Sequence, residues 1–186
     1  MTRRKEDKNR EISGIVYLAV ALLLAFAFYF PPDLTGWLGK AASGLFRGAI
    51  GVVSYGVPVF FVYLAAESFR EKRSAIRRQR YTYTLICVVC LAALFHIFTI
   101  DQTAFRSLVD GSEHPAWEAI LTLWRTGTDA SRFPALGGAL SGGVAGGLVA
   151  TALYAIGGRV GAPLLLISVM VIQVILIFDV SLRKAA

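Results

Sequence analysis

Five stretches of this chain run for about the thickness of a bilayer with almost no charge. Residues 12–30 hold 19 uncharged residues, 81–100 hold 20, 135–158 hold 24 and 160–178 hold 19. The remaining run, 41–66, is interrupted once by Arg47 and is clean over the 19 residues 48–66. A helix needs about 20 apolar residues to cross the hydrocarbon core. Lipid offers no partner to a backbone N–H or C=O, so such runs must satisfy their backbone internally, as helices do. The sequence therefore predicts an all-α, polytopic membrane helical bundle. Charged residues make up only 17% of the chain, where a water-facing globule carries about a quarter.

The distribution of charge sets the topology. Of the 19 Lys and Arg residues, five lie in 1–11 and six in 67–80. Short loops rich in Lys and Arg stay in the cytoplasm. The basic tail 1–11 and the loop carrying Arg70, Lys72, Arg73, Arg77, Arg78 and Arg80 are thus expected inside, joined by spans at 12–30 and about 48–66. The first run does not read as a removable leader, because it ends at Pro31-Pro32-Asp33 with no small-x-small cleavage site. A third span over 81–100 then places 101–134 outside as a long polar loop, with five acidic residues against three arginines.

Two apolar runs remain, yet Arg183-Lys184 points to a cytoplasmic end at 183–186, the expected start of a linker. One run is therefore expected not to cross. Residues 135–161 hold nine of the 18 glycines, each costing about 1 kcal/mol relative to Ala inside a helix. Arg159 separates the two runs with no room for a polar loop. The expectation is a Gly-rich re-entrant or interfacial helix over 135–158 and a fourth span over 160–178, the whole transmembrane domain covering 12–182.

No constellation in the chain carries chemistry. Cys87 and Cys90 form a CxxC without a second ligand pair, whereas structural zinc takes four ligands, so they read as small packing residues. His96 lies near the end of the third run with Asp101 as its nearest carboxylate in sequence, and reads as a packing residue near the interface. Arg47 reads as a cation snorkelling to the interface just before a span that begins near Gly48. The run 138–142 has Ala139 where an intramembrane serine protease needs its GxSG pattern. No catalytic residue, metal or cofactor is expected.

The glycine pattern is more informative. Gly138, Gly142 and Gly146, with Gly143 and Gly147 beside them, leave two adjacent helix faces bare. Bare faces let backbones approach closely, which drives helix association in lipid. Packing within the chain and contact between subunits are both open, and Gly44 and Gly48 offer a possible partner face.

The order of these features resembles the N-terminal four-helix membrane domain of the FtsK/SpoIIIE family of DNA translocases. The residues that carry the resemblance are Glu11-Ile12-Ser13-Gly14-Ile15, Gly56-Val57-Pro58-Val59 and Arg77-Arg78. The strongest are Gly142-Gly143-Val144-Ala145-Gly146-Gly147-Leu148 and Gly157-Gly158-Arg159-Val160-Gly161 with the apolar run after Pro163. The resemblance implies a cell-membrane anchor and assembly module for a hexameric motor that moves DNA through the septum, in cell division, chromosome partition and sporulation. It implies a homo-oligomer in the lipid bilayer, division-site proteins as partners, and DNA contact only through a motor domain. That motor's phosphate loop, GxxxxGK[ST], does not occur in these residues. The alternative is a small multispan transporter or channel component, which partnered ionisable groups at membrane depth would favour.

Overall fold

The computed structural model describes residues 2–69, 76–111, 113–129 and 141–178. The regular elements among them are all helical: α1 (Thr2–Tyr29), α2 (Pro32–Ile50), a 3-10 segment (Gly51–Gly56), α3 (Val57–Phe69), α4 (Ile76–Thr99), α5 (Gln102–Asp110), α6 (Pro115–Thr128) and α7 (Gly143–Phe178). Among the described residues four stretches are long and apolar enough to cross a membrane: Glu11–Tyr29, Asp33–Phe69, Tyr81–Thr99 and Gly143–Ile177. The chain is an all-α membrane protein. Arg70, Lys72, Arg73, Gly138 and residues 183–186 lie outside the described residues, and Arg77, Arg78 and Arg80 fall in the first turns of α4.

Two elements differ from the sequence expectation. The span placed over 48–66 is not one α-helix. It holds the end of α2, the 3-10 segment and most of α3. Gly51 takes φ 59°, a left-handed value that stops an α-helix, and α3 restarts at Val57 with Pro58 in its first turn, where a missing N–H is tolerated. Arg47 therefore lies in the last turn of a helix, not ahead of one. The second difference is the polar loop over 101–134, whose described part is largely two helices. Asp101 caps α5, its Oδ1 accepting from the backbone N–H of Thr103 at 2.9 Å and of Ala104 at 3.4 Å. Pro115 opens α6 with its preset φ.

The described residues form two compact units, Met1–Leu45 with Ser54–Ser74, and Phe46–Val53 with Ala75–Ala186. In the first, α1 and α3 pack antiparallel. Gly14 sits against the Phe69 ring near one end, Tyr17 meets Phe61 at 6.3 Å between ring centroids, and Phe28 meets Tyr55 at 5.7 Å near the other end. There the Tyr29 hydroxyl donates to the Tyr55 carbonyl at 2.6 Å. Early in α2, Gly36 takes φ 61° and ψ −166° and kinks the helix.

The second unit is built on α4 and α7. A straight helix of 36 residues would be about 54 Å long, far more than the roughly 30 Å of a hydrocarbon core. α7 does not stay straight: Gly158, at φ 63° and ψ −162°, breaks it into two limbs. Both limbs lie on α4. Ala150 of the first and Leu166 of the second share one apolar cluster with Cys90, Ala93 and Leu94, although a straight helix would hold them roughly 24 Å apart. A second cluster joins Ile100, Phe105, Val109 and Leu123, so α5 and α6 cap the same unit.

Candidate functional site: the glycine-packed contact in the second unit

In lipid the driving force between helices is close packing, since the surroundings are as apolar as the side chains. Where two backbones meet, any Cβ sets the limit of approach. At the start of α7 the sequence removes that limit repeatedly. A Cβ on Gly146 would stand 2.6 Å from the Ala92 carbonyl carbon of α4, and one on Gly142 would collide with the Ala92 carbonyl oxygen. Gly142 and Gly146 thus straddle one alanine of α4, four residues apart on a common face. Gly147, on the neighbouring face, is filled by the Leu123 side chain of α6.

Gly143 faces a third partner, the segment Phe46–Val53. Its Cβ position lies 2.6 Å from the Gly51 nitrogen, 2.7 Å from the Ala49 carbonyl carbon and 2.7 Å from the Gly48 oxygen. Two further glycines complete the contact. A Cβ on Gly127 at the end of α6 would strike the Arg47 carbonyl oxygen, and a Cβ on Gly48 would sit 2.6 Å from the Trp124 ring. The Val52 N–H donates to the Ser141 carbonyl at 2.8 Å, tying the 3-10 segment to the approach of α7.

Buried hydroxyls line this contact. Ser141 Oγ accepts from the Gly143 N–H at 3.1 Å, and Thr126 Oγ1 donates to the Leu123 carbonyl at 3.0 Å. The two hydroxyl oxygens are 3.4 Å apart. With the Thr126 proton used on Leu123, the Ser141 proton is the one available for their shared bond. His96 is completely buried beside Gly142 and meets the Phe105 ring edge-on at 6.3 Å. Neither ring nitrogen has a hydrogen-bond partner among the described residues.

At the end of α4 the Thr103 hydroxyl donates to Asp101 Oδ1 at 2.6 Å. That bond first, then the backbone N–H groups of Thr103 and Ala104 and the charge of Arg159, hold the Asp101 carboxyl below its usual range. Arg159, directly after the Gly158 break, therefore lies near the end of α4.

Gly142, Gly143, Gly146 and Gly147 are brought together in contacts within the chain, and Gly48 joins them. Gly44 does not, since a Cβ there meets nothing within 4 Å. Cys90 is buried in the α4–α7 cluster and Cys87 is half-buried. Arg47 is half-buried in the last turn of α2, its carbonyl under Gly127. Sequence reasoning passes over Gly51 and Gly127, and takes Ser141 only as part of the run 138–142, not as a hydrogen-bonding residue of this contact. Gly51 and Gly127 stand alone amid larger residues, and spacing gives them no signal.

Residues 31–113 match the family described as the 4TM region of DNA translocase FtsK/SpoIIIE. No curated protein and no solved structure matches the chain.

Proposed function

We propose that this chain, whose residues 31–113 belong to the 4TM region of the FtsK/SpoIIIE translocases, anchors and assembles a DNA-translocating motor at the division site. The membrane-anchoring role follows from the family and from the four apolar stretches. The septal location, the work in chromosome segregation and the gathering of copies are the finer reading. The observation that carries it is where the structure spends its polar and small residues. In the second unit the small ones lock helices to each other, with Gly142 and Gly146 closed on Ala92. A rigid module of this kind suits a tether. Because the glycine faces are covered within the chain, copies would meet through other surfaces, and the exposed apolar side chains Leu22, Leu23 and Leu38 are among those open to lipid or a neighbour.

The same reading makes residues 143–157 a re-entrant limb. It starts beside Ala92 and His96, roughly 10 Å of helix rise before the end of α4 at Thr99, and finishes where Arg159 nears Asp101. Residues 159–178 then make the last crossing. The N-tail, the loop 67–80 and the C-terminal end share the cytoplasmic side.

A fluorescent fusion of the chain, expressed in dividing cells of its source, tests the function. Enrichment at the septum is the expected result; an even distribution around the membrane overturns the division-site role. Single-cysteine labelling in a background lacking Cys87 and Cys90 tests the topology. Labelling at Ser74 from outside overturns it, and labelling of Gly158 from the cytoplasmic side overturns the re-entrant limb.

A further inference from the structure

A polar cavity of about 380 Å³ opens at the end of α4, within the volume range of small-ligand sites, roughly 300–1,000 Å³. Asp101, Gln102, Thr103, Tyr154 and Arg159 line it, and Ile97 and Phe98 carry its wall onto the apolar length of α4. Phe98 is 71% exposed there, so the cavity has one polar end and one lipid-facing lip.

Its charges are arranged as a pair held apart. All three hydrogen bonds that the Asp101 carboxylate accepts among the described residues go to Oδ1, which leaves Oδ2 available. Those bonds also keep the carboxylate ionised. Arg159 is close enough for its charge to be felt by Asp101, yet the two make no direct ion pair. A lone anion entering the cavity would meet Asp101, and a lone cation would meet Arg159. A molecule carrying both charges, a short link apart, satisfies both. Two further features suit a phosphate ester. Gln102 is 4% exposed, and neither atom of its amide has a partner among the described residues, a costly state for a buried amide. The Arg106 guanidinium lies over the Tyr154 ring at 5.8 Å from its centroid, adding positive potential beside the wall.

We propose that this cavity binds the headgroup of a phospholipid that carries a phosphate and a primary ammonium, with the phosphate on Arg159 and the ammonium on Asp101 Oδ2. The acyl chains would run down past Phe98 along α4. The inference rests on the membrane reading of α4 and α7 and is independent of the translocase reading.

The test is native mass spectrometry of the full chain released from nanodiscs of equimolar phosphatidylethanolamine, phosphatidylcholine and phosphatidylglycerol. The wild type retains phosphatidylethanolamine about tenfold over the other two, the scale of one charge-assisted hydrogen bond. Asp101→Asn keeps the helix cap, since Asn caps as well as Asp. It should bring phosphatidylethanolamine down to the level of phosphatidylcholine. Arg159→Gln should lower retention of all three, and Arg159→Lys should restore it. Retention in proportion to abundance by the wild type overturns the proposal, as does selectivity unchanged in Asp101→Asn or retention of all three unchanged in Arg159→Gln. Water-soluble phosphoethanolamine is the second probe. Failure to displace the lipid supports a lipid ligand, whereas displacement at concentrations equal to the lipid's own assigns the site to a soluble zwitterion and overturns it.

Discussion

Gly143 and Gly158 occupy the two key points of α7 with nearly the same backbone angle, φ 64° and 63°, and in opposite surroundings. Gly143 is wedged among the backbones of Gly48, Ala49 and Gly51, while a Cβ on Gly158 would meet nothing within 4 Å. One glycine is required for space and for conformation, the other for conformation alone. The ladder glycines Gly142 and Gly146 form a third case, in which space alone decides. Glycine in a membrane helix is thus not one signal but several, and only the neighbours tell them apart.

The largest effect is expected at Gly143. Gly143→Ala adds left-handed strain, about 1–3 kcal/mol, to an overlap with three backbone atoms that cannot rotate away, typically another 1–3 kcal/mol. Unfolding in detergent, followed by circular dichroism, should show the lowest midpoint among single glycine-to-alanine variants of α7. A midpoint equal to that of Gly158→Ala would break the contrast by showing that the contact with Gly51 does not persist.

Gly158→Ala should cost only the strain, about 1–3 kcal/mol, since φ near +60° with ψ near 180° is open essentially to glycine alone. Its signature should be local. A spin-label pair at Ala150 and Leu166, close across the break in the wild type, should move apart as the two limbs straighten. An unchanged distance would mean that packing on α4, not the glycine, sets the bend.

Much of this was legible in advance. The runs 12–30 and 81–100 end within a residue of the apolar stretches Glu11–Tyr29 and Tyr81–Thr99, because uninterrupted apolar length leaves a chain in lipid no choice but helix. The break near Gly157-Gly158-Arg159 was legible too, since two glycines and a charge coincide there. The break at Gly51 was not. Its neighbours Val52 and Val53 read as ordinary helix interior, and the left-handed turn answers to Ser141 and Gly143, far along the chain. Similarly, α5 and α6 were hidden by counting charges over 101–134. Their apolar residues Phe105, Val109 and Leu123 fall on one side and are buried, a periodicity too short to register as a span.

A smaller effect is expected at the Asp101 cap. Its folded-state pKa is lowered, so its contribution to stability is complete above the unfolded value of 3.8 and fades as pH falls through the folded one. α5 should therefore loosen selectively below about pH 4, seen as faster amide exchange at Thr103 and Ala104. The contacts of Gly146 with Ala92 and of Gly147 with Leu123 carry no titratable partner and should hold their protection over the same interval. Equal loosening of both regions would tie the cap to the glycine contact, against the division drawn here.

The smallest effect, and the sharpest control, belongs to Gly44. It lies in α2 with no left-handed angle and with nothing within 4 Å of a Cβ, whereas four residues later a Cβ on Gly48 would press 2.6 Å from the Trp124 ring. Gly44→Ala has neither strain nor overlap to oppose the higher helix propensity of alanine, which is worth up to about 1 kcal/mol. The variant should be neutral or slightly more stable than the wild type. Gly48→Ala should fall between Gly44→Ala and Gly143→Ala, because an indole can shift where a backbone cannot. The pair also reads out something the single chain does not contain. If Gly44→Ala were as destabilising as Gly48→Ala, its bare face would have to be covered by another molecule. Subunit contact would then fall on α2, and cysteine crosslinking between copies at Ala41 or Leu45, on the adjoining turns, would be the measurement to make next.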